Sequence, residues 1–438
     1  MMGLQLEEIA YRESSASPVS ILWTFGNSPY RCPFQSIIKR ECPLSMSFKF
    51  LGSIHSLRFG RLGLRPRVLG GSLLLTAAAL GAIAAGQGVA FVRQKAIEGP
   101  LTLANFVKGT TDCFDRSKRP PLAVVDTHLH VRPFGGPPIP FQELMKMLRQ
   151  NGVLFANLYG IGQRLPVQSP CTYYLNCPGE PALPSLKSDF NNAENSLDHK
   201  QDDMKLVLSM TFPDLSKPDE VLPKMALLDK EYPDMFRWMG EVNLVKQALF
   251  NNGHQAVPAE TIASWQPFME QLQKRNIPIA IHSDLGNDKE PRKYIPLMDE
   301  VLRRYPSNRI VWMHLGLSKE LTSVDPRDHI QLLESYLRRY PNLSYDISWR
   351  VLYDQVFKDP AKRDLYVAFM NRWPNRFIPG TDFVAAAGKT EQVYREELAV
   401  TSSILARVNN EAYRRIALGQ NFFDLAGLDA VSPSICAR

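Results

Sequence analysis

Between residues 121 and 409 the chain alternates short apolar runs with helix-length runs, and no other feature constrains the fold as much. The strand-like runs are Leu122–Thr127, Val153–Leu158, Lys205–Phe212, Phe236–Val242, Ile277–Ser283, Arg309–His314, Leu343–Ile347 and Phe377–Thr381. The helix-like runs between and after them include 141–149, 218–231, 258–275, 294–304, 326–339, 362–371 and 391–409, several of them starting at Pro, Ser or Asp. Short apolar strands separated by helices imply a parallel sheet covered by helices. Eight such repeats predict a closed α/β barrel, the (β/α)8 TIM barrel, occupying 121–438. No internal sequence repeat accompanies the structural one. One connection is long: Gly160 to Asp203 is rich in Pro, Cys, Asn and Asp and contains Tyr173-Tyr174. It follows a strand, so it is expected to lie over the C-terminal mouth as a partial lid. Residues 413–423 read as a terminal helix, a turn and a second short helix.

The polar residues sort to one end of these strands. The first ends in Asp126-Thr127-His128-Leu129-His130, the fourth in Gly240-Glu241-Val242-Asn243 and the fifth in Ile281-His282-Ser283-Asp284. The sixth ends in Met313-His314 and the eighth in Gly380-Thr381-Asp382. Side chains two apart on a strand point the same way, so His128 and His130 leave theirs side by side, which is half of a metal site. Each single histidine also reads as a hydrogen-bonded structural group. Four of the eight histidines falling at strand ends, where a barrel gathers its functional groups, argues for a metal centre. Imidazoles and carboxylates suit Zn above all, with Mn, Fe and Ni open, as one or two ions. A divalent ion lowers the pKa of a coordinated water to about 7 and polarises a carbonyl or phosphoryl oxygen. Asp382 is placed to be ligand and general base together. His314 would orient the substrate or stabilise a developing oxyanion. Asp126 is expected to fix a ligand tautomer from behind.

Composition is ordinary for a globular protein, with 45% hydrophobic and 22% charged residues and a formal charge of +7. The basic excess lies upstream: residues 1–120 carry 15 Lys/Arg against 7 Asp/Glu, which leaves the barrel near neutral. No nucleic-acid surface is therefore expected on it. Residues 1–45 show no period and are read as a poorly ordered leader, with Met46 an alternative start. A basic flank, Lys49 to Arg67, precedes the charge-free stretch Val68–Val92. That stretch has the form of a signal peptide or, if uncleaved, of a transmembrane anchor. Either way the barrel is expected outside the cytoplasmic membrane, periplasmic in a Gram-negative cell. Residues 97–120 read as a linker or short helix. None of the six cysteines forms a Cys-x-x-Cys pair. Cys171 and Cys177 share a polar loop and are either free thiols or a local disulfide.

With these residues in view the chain resembles the amidohydrolase superfamily, specifically its amidohydrolase-related metal-dependent hydrolases. The resemblance runs from about Ala123 to Leu428. It rests on Thr127-His128-Leu129-His130, Ile281-His282, Met313-His314-Leu315-Gly316, Gly380-Thr381-Asp382 and the closing Gly419-Gln420-Asn421-Phe422-Phe423-Asp424-Leu425. It implies His128, His130, His282 and Asp382 as metal ligands, and His314 as a ligand of a second ion or a catalytic group. Members with two ions often carry a carboxylated lysine on strand four. This chain has Glu241 there, similar to the bridging Glu of TatD-like deoxyribonucleases, while Lys246 lies beyond the strand and is a poor substitute. A salt-bridged Glu241 is the competing reading.

The leading expectation is hydrolysis of a C–N or C–O bond in a small-molecule amide, cyclic amide, ester or lactone. A decarboxylase of an aromatic or unsaturated acid is the first alternative, with Arg350 or Arg132 clamping the substrate carboxylate. A TatD-like phosphodiesterase is the second, suggested by Glu241 alone. An inactive anchored binding protein is the third; degraded ligands would be its mark, and the principal ligands are intact.

Overall fold

The computed structural model describes residues 94–437 except 162–164 and 166–167. The expectations for the leader and for the charge-free stretch Val68–Val92 lie outside the described residues. Among the described residues no helix is long and apolar enough to cross a membrane.

The strands are β1 (Val125–His130), β2 (Phe155–Tyr159), β3 (Lys205–Met210), β4 (Phe236–Val245), β5 (Ile279–Ser283), β6 (Ile310–Trp312), β7 (Leu343–Asp346), β8 (Phe377–Ile378) and β9 (Phe383–Val384). Each pairs in parallel with the next in sequence, from β1 to β8, and β9 pairs back onto β1. β8 and β9 are two halves of the eighth position. Between them Pro379 accepts from the Thr127 amide at 3.1 Å and the Asp382 amide donates to the His128 carbonyl at 2.8 Å. Those bonds close the barrel. The predicted run Phe377–Thr381 is therefore broken after Ile378, because the last strand must leave β7 and turn to reach β1. Close approach there demands glycine: a Cβ on Gly380 would sit 2.8 Å from that of His128.

Helices of seven residues or more are α1 (Phe141–Gln150), α2 (Leu186–Asp198), α3 (Val221–Glu231), α4 (Gln266–Arg275), α5 (Ile295–Arg304), α6 (Pro326–Arg339), α7 (Pro360–Arg372), α8 (Glu391–Ser402), α9 (Asn410–Ile416) and α10 (Gln420–Ala426). α6 and α7 start alike. Asp325 and Asp359 each accept two first-turn amides through the side chain, and a proline follows at the first helical position. Removing either cap costs about 1 kcal/mol. Two helix expectations ran long. The 258–275 run is interrupted by a 3-10 turn, Ala263–Trp265, just before Pro267, and α8 gives way at Ser403 to a 3-10 turn, Ser403–Ala406, before Asn409 caps α9 by accepting from the Ala412 amide.

α2 corrects the reading of 160–203 as loop throughout. Its buried face is Ser188, Asp189, Asn192 and Ala193, so no apolar period announces it. Asp189 holds it to the end of β3 by accepting from Thr211 N and Oγ1 and from Phe212 N. Residues 97–120 are likewise more than a connection. Phe106 and Phe114 pack into the main core, and Cys113–Phe114 pairs with Ser434–Ile435 in a two-stranded sheet locked by a Cys113–Cys436 disulfide. Cys171 and Cys177 are also bonded.

The core fills both the barrel and the seam under the helices. Val125, Leu129, Ile279, Ile281, Val311 and Phe377 are fully enclosed. Burying each is worth about 1.5–3 kcal/mol, and truncating one such as Ile281 to Ala costs about 2–5 kcal/mol. This packing makes the strand ends rigid, which is what a site built upon them needs.

Candidate metal centre

β1 delivers its two imidazoles with their outer nitrogens already committed. The Ser348 hydroxyl donates to Asp346 Oδ1 at 2.6 Å, so at 3.0 Å it accepts from His128 Nδ1–H. His130 Nδ1–H donates to the Gly160 carbonyl at 2.5 Å. Both bonds turn Nε2 inward, where its lone pair becomes available once the ring is neutral. The two Nε2 atoms lie 3.1 Å apart. Glu241 Oε2 stands 3.4 and 3.6 Å from them, and Asp382 Oδ1 3.4 and 3.2 Å. A tetrahedral ion with ligand bonds of about 2.0–2.1 Å has donor–donor edges of about 3.3–3.4 Å. These five separations, 3.1–3.6 Å, match the edges of a tetrahedral cage, and the chemistry of the four donors suits a divalent ion.

The backbone sets these positions. Gly240 adopts a φ of +115°, and a Cβ there would run into the Ala280 carbonyl oxygen. That conformation turns Glu241 inward beside β5. Asp382 itself has φ +59°. Asp126 pins that turn, accepting from Thr381 N at 2.9 Å, Thr381 Oγ1 at 2.7 Å, Tyr394 OH at 3.0 Å and the His128 amide at 3.3 Å. Asp126 therefore braces backbone and touches no imidazole nitrogen. The tautomer-fixing role expected of it is performed by Ser348 with Asp346 and by the Gly160 carbonyl.

A second donor group adjoins the first, made of Glu241, His282 and His314. His282 does not share the first cage, contrary to the ligand set carried over from the resemblance. Its Nδ1 lies 2.5 Å from Glu241 Oε1 and its Nε2 2.9 Å from Asp284 Oδ1. With a carboxylate at each nitrogen the ring favours the doubly protonated form. Burial and the Lys246 charge oppose this, but Glu241 and Asp284 outweigh them and raise the pKa. Glu241 is thus both a member of the first group and salt-bridged, since Lys246 Nζ donates to its Oε1 at 2.6 Å.

His314 sits in a tight turn, not at a strand end: β6 stops at Trp312, and His314 and Leu315 take left-handed φ values of +53° and +55°. Its Nδ1 is 3.2 Å from both Asp346 Oδ1 and the Ser348 carbonyl, and its Nε2 is buried without a hydrogen-bond partner. Burial lowers its pKa, so the ring is neutral and Nε2 accepts. A neutral acceptor can orient a substrate donor or bind an ion; it cannot donate to an oxyanion.

Charge balance within the cluster is tight. Burial would push Glu241 up, yet Lys246, His282, His128 and His130 hold it well below the usual carboxylate range. Burial would push Asp382 up, yet His128 and His130 hold it well below the usual carboxylate range. His130, despite burial, is raised to about 9 by Asp382 and Glu241.

Above the donors lies a cavity of about 510 Å³. Tyr173 and Tyr174 from the long connection, Trp349, Lys246, Lys319, Arg350 and Lys389 are among its walls. The Tyr173–Tyr174 stretch thus overhangs the donors, as a lid would. Arg350 lies on the wall, 3.5 Å from Asp354 and 3.7 Å from Glu397. Arg132 is not on the wall and its Nε is buried without a partner, so a substrate clamp at that position is not supported.

Several contributors had no usable sequence signal. Ser348 and Asp346 end a strand and read as ordinary polar residues. His329 looked like a helix histidine, but it donates from Nε2 to the Leu315 carbonyl at 2.9 Å and accepts from Tyr366 OH at 2.7 Å, fastening the His314 turn. For Asp284 a signal existed: it lies two residues after His282, on the same side of the strand.

A parallel (β/α)8 barrel with His-x-His on its first strand and an Asp after its last defines a class of metal-site barrels. The amidohydrolase family model matches residues 215–403. Over that stretch the chain is similar to the amidohydrolase family. Among solved structures it is similar to a dihydroorotase from Campylobacter jejuni, at 16% identity over 69% of this chain and 83% of that one, TM-score 0.43. It is also similar to an amidohydrolase from Burkholderia multivorans with bound zinc, at 13% identity over 70% and 99%, TM-score 0.44. A third is 4-oxalomesaconate hydratase from Rhodopseudomonas palustris, at 14% identity over 69% and 95%, TM-score 0.43. The search of curated proteins gave no match.

Proposed function

We propose that the barrel is a metal-dependent hydrolase that cleaves a C–N or C–O bond of a small amide, cyclic amide, ester or lactone. The observation that carries this reading is the cage of His128, His130, Glu241 and Asp382 at the floor of a substrate-sized cavity. A divalent ion, with zinc the first choice for this donor set, would supply Lewis acidity and an activated water. The chain's own residues do the rest. Asp382 is the most exposed carboxylate of the cage, with 12% of its side chain accessible. It can take a proton on the cavity side and return it to the leaving group. Tyr173, Tyr174 and Trp349 exclude water over the reacting bond.

Metal analysis of the purified chain, together with a panel of lactones, amides, esters and phosphodiesters, tests the reading. Metal content and activity should both vanish in His128→Ala, and full activity in the presence of chelator would refute it. The decarboxylase reading draws on Arg350 at the cavity wall; carbon dioxide release from aromatic acids without hydrolysis of any panel member would select it. We place the barrel outside the cytoplasmic membrane, since two disulfides suit an oxidising compartment and a signal-like stretch precedes the domain.

A further inference from the structure

We propose that the Lys246 ammonium occupies the place of a second cation, so that this chain holds one divalent ion and not two. The inference rests on the metal-dependent reading above and specifies it.

Glu241 divides its two oxygens. Oε2 faces the four-donor cage, while Oε1 receives Lys246 Nζ at 2.6 Å. An ion in the second group would need that oxygen, and it would sit beside a fixed positive charge with little water to screen the repulsion. The other two donors there are His282, whose Nδ1 lies 2.5 Å from that same Glu241 oxygen, and His314 Nε2. With Oε1 taken by the ammonium, the position falls short of the about three protein ligands that catalytic zinc sites keep.

Lys246 is built in. It directly follows β4, and its backbone amide donates to His254 Nε2 at 3.1 Å. Burial lowers the His254 pKa to about 4, so that ring is neutral and free to accept. The Lys246 side chain is enclosed beneath the Tyr174 ring, whose centre is 5.9 Å from Nζ, yet it contributes to the cavity wall. It therefore does two things a second ion would do. It aims Glu241 Oε2 at the first group, and it presents positive charge to the substrate cavity.

The test is metal stoichiometry. The purified chain, stripped and then dialysed against excess Co(II), should saturate at a single equivalent, with a magnetically isolated high-spin EPR signal. Lys246→Met keeps the length and removes the charge. It should take up a second equivalent under the same conditions, with spin coupling diminishing the signal, while Lys246→Arg stays at one. Saturation of the wild type at two equivalents overturns the proposal, as does a folded Lys246→Met that still stops at one. Should Lys246→Met fail to fold, the wild-type and Lys246→Arg titrations decide. Binding of no metal at all sinks the hydrolase reading together with this one, whereas two equivalents in the wild type leaves that reading standing.

Discussion

Replacing His329 tests how the fold holds His314. His329 lies on α6, fully enclosed, with Nε2–H on the Leu315 carbonyl and Nδ1 accepting from Tyr366 OH. Leu315 is the second residue of the left-handed pair that aims His314. Burial depresses the His329 pKa from 6.5 to about 4. Below pH 6.5 the unfolded chain therefore binds a proton that the folded chain refuses. The stability held by the neutral ring is complete above pH 6.5 and is lost as pH falls toward 4. A shift of about 2.5 units corresponds to about 3 kcal/mol lost by pH 4, a large share of the 5–15 kcal/mol typical of a domain. Urea denaturation of the wild type, His329→Gln and His329→Leu at pH 7 and pH 4.5 measures it. Gln can donate to Leu315 O and accept from Tyr366 OH, and it does not titrate. The wild type should lose about 2.5 kcal/mol more than His329→Gln between the two pH values; other titrating groups are common to both and cancel. His329→Leu leaves two buried groups unpaired and should be less stable at both pH values, by about 1–3 kcal/mol for each group. Equal losses in wild type and His329→Gln would refute the reasoning.

Three further outcomes follow from the same contacts. Asp346→Ala removes the acceptor that orients Ser348 and, through it, His128; metal affinity should fall about 10–100-fold, read by competition with a chromogenic chelator. Because His130 is raised to about 9 without metal, loading near pH 7 must displace a proton. Apparent affinity should then climb from pH 6 to about 9, and calorimetry in buffers of different ionisation heat should count the proton released. The Cys113–Cys436 bridge closes a loop with a sequence separation of 323, so Cys113→Ser should lower stability by about 2–5 kcal/mol; unchanged chemical denaturation would remove its structural role.

Much of the architecture was legible because short continuous apolar runs and helix starts are local signals. Seven of the eight strand positions fall within two or three residues of the runs read from sequence. The eighth splits, because closure is a demand the whole barrel makes on one segment. α2 escaped notice for a different reason: it buries Ser, Asp and Asn, satisfied by β3 rather than by apolar contact.

The sequence alone determined that His128 and His130 leave one strand on the same side, and that His282 and Asp382 stand near the ends of others; Glu241, read as a strand end, lies inside β4, which runs on to Val245. Strand alternation acts between neighbours and needs no partner. Only tertiary structure decided how those donors divide. Lys246 lies 2.6 Å from one oxygen of Glu241, His282 is held between two carboxylates, and Ser348, 220 residues from His128, chooses that ring's tautomer. Such choices turn on differences of a few tenths of an ångström between segments that meet only when the barrel closes, and on charges whose strength depends on burial. Neither quantity exists along an unfolded chain.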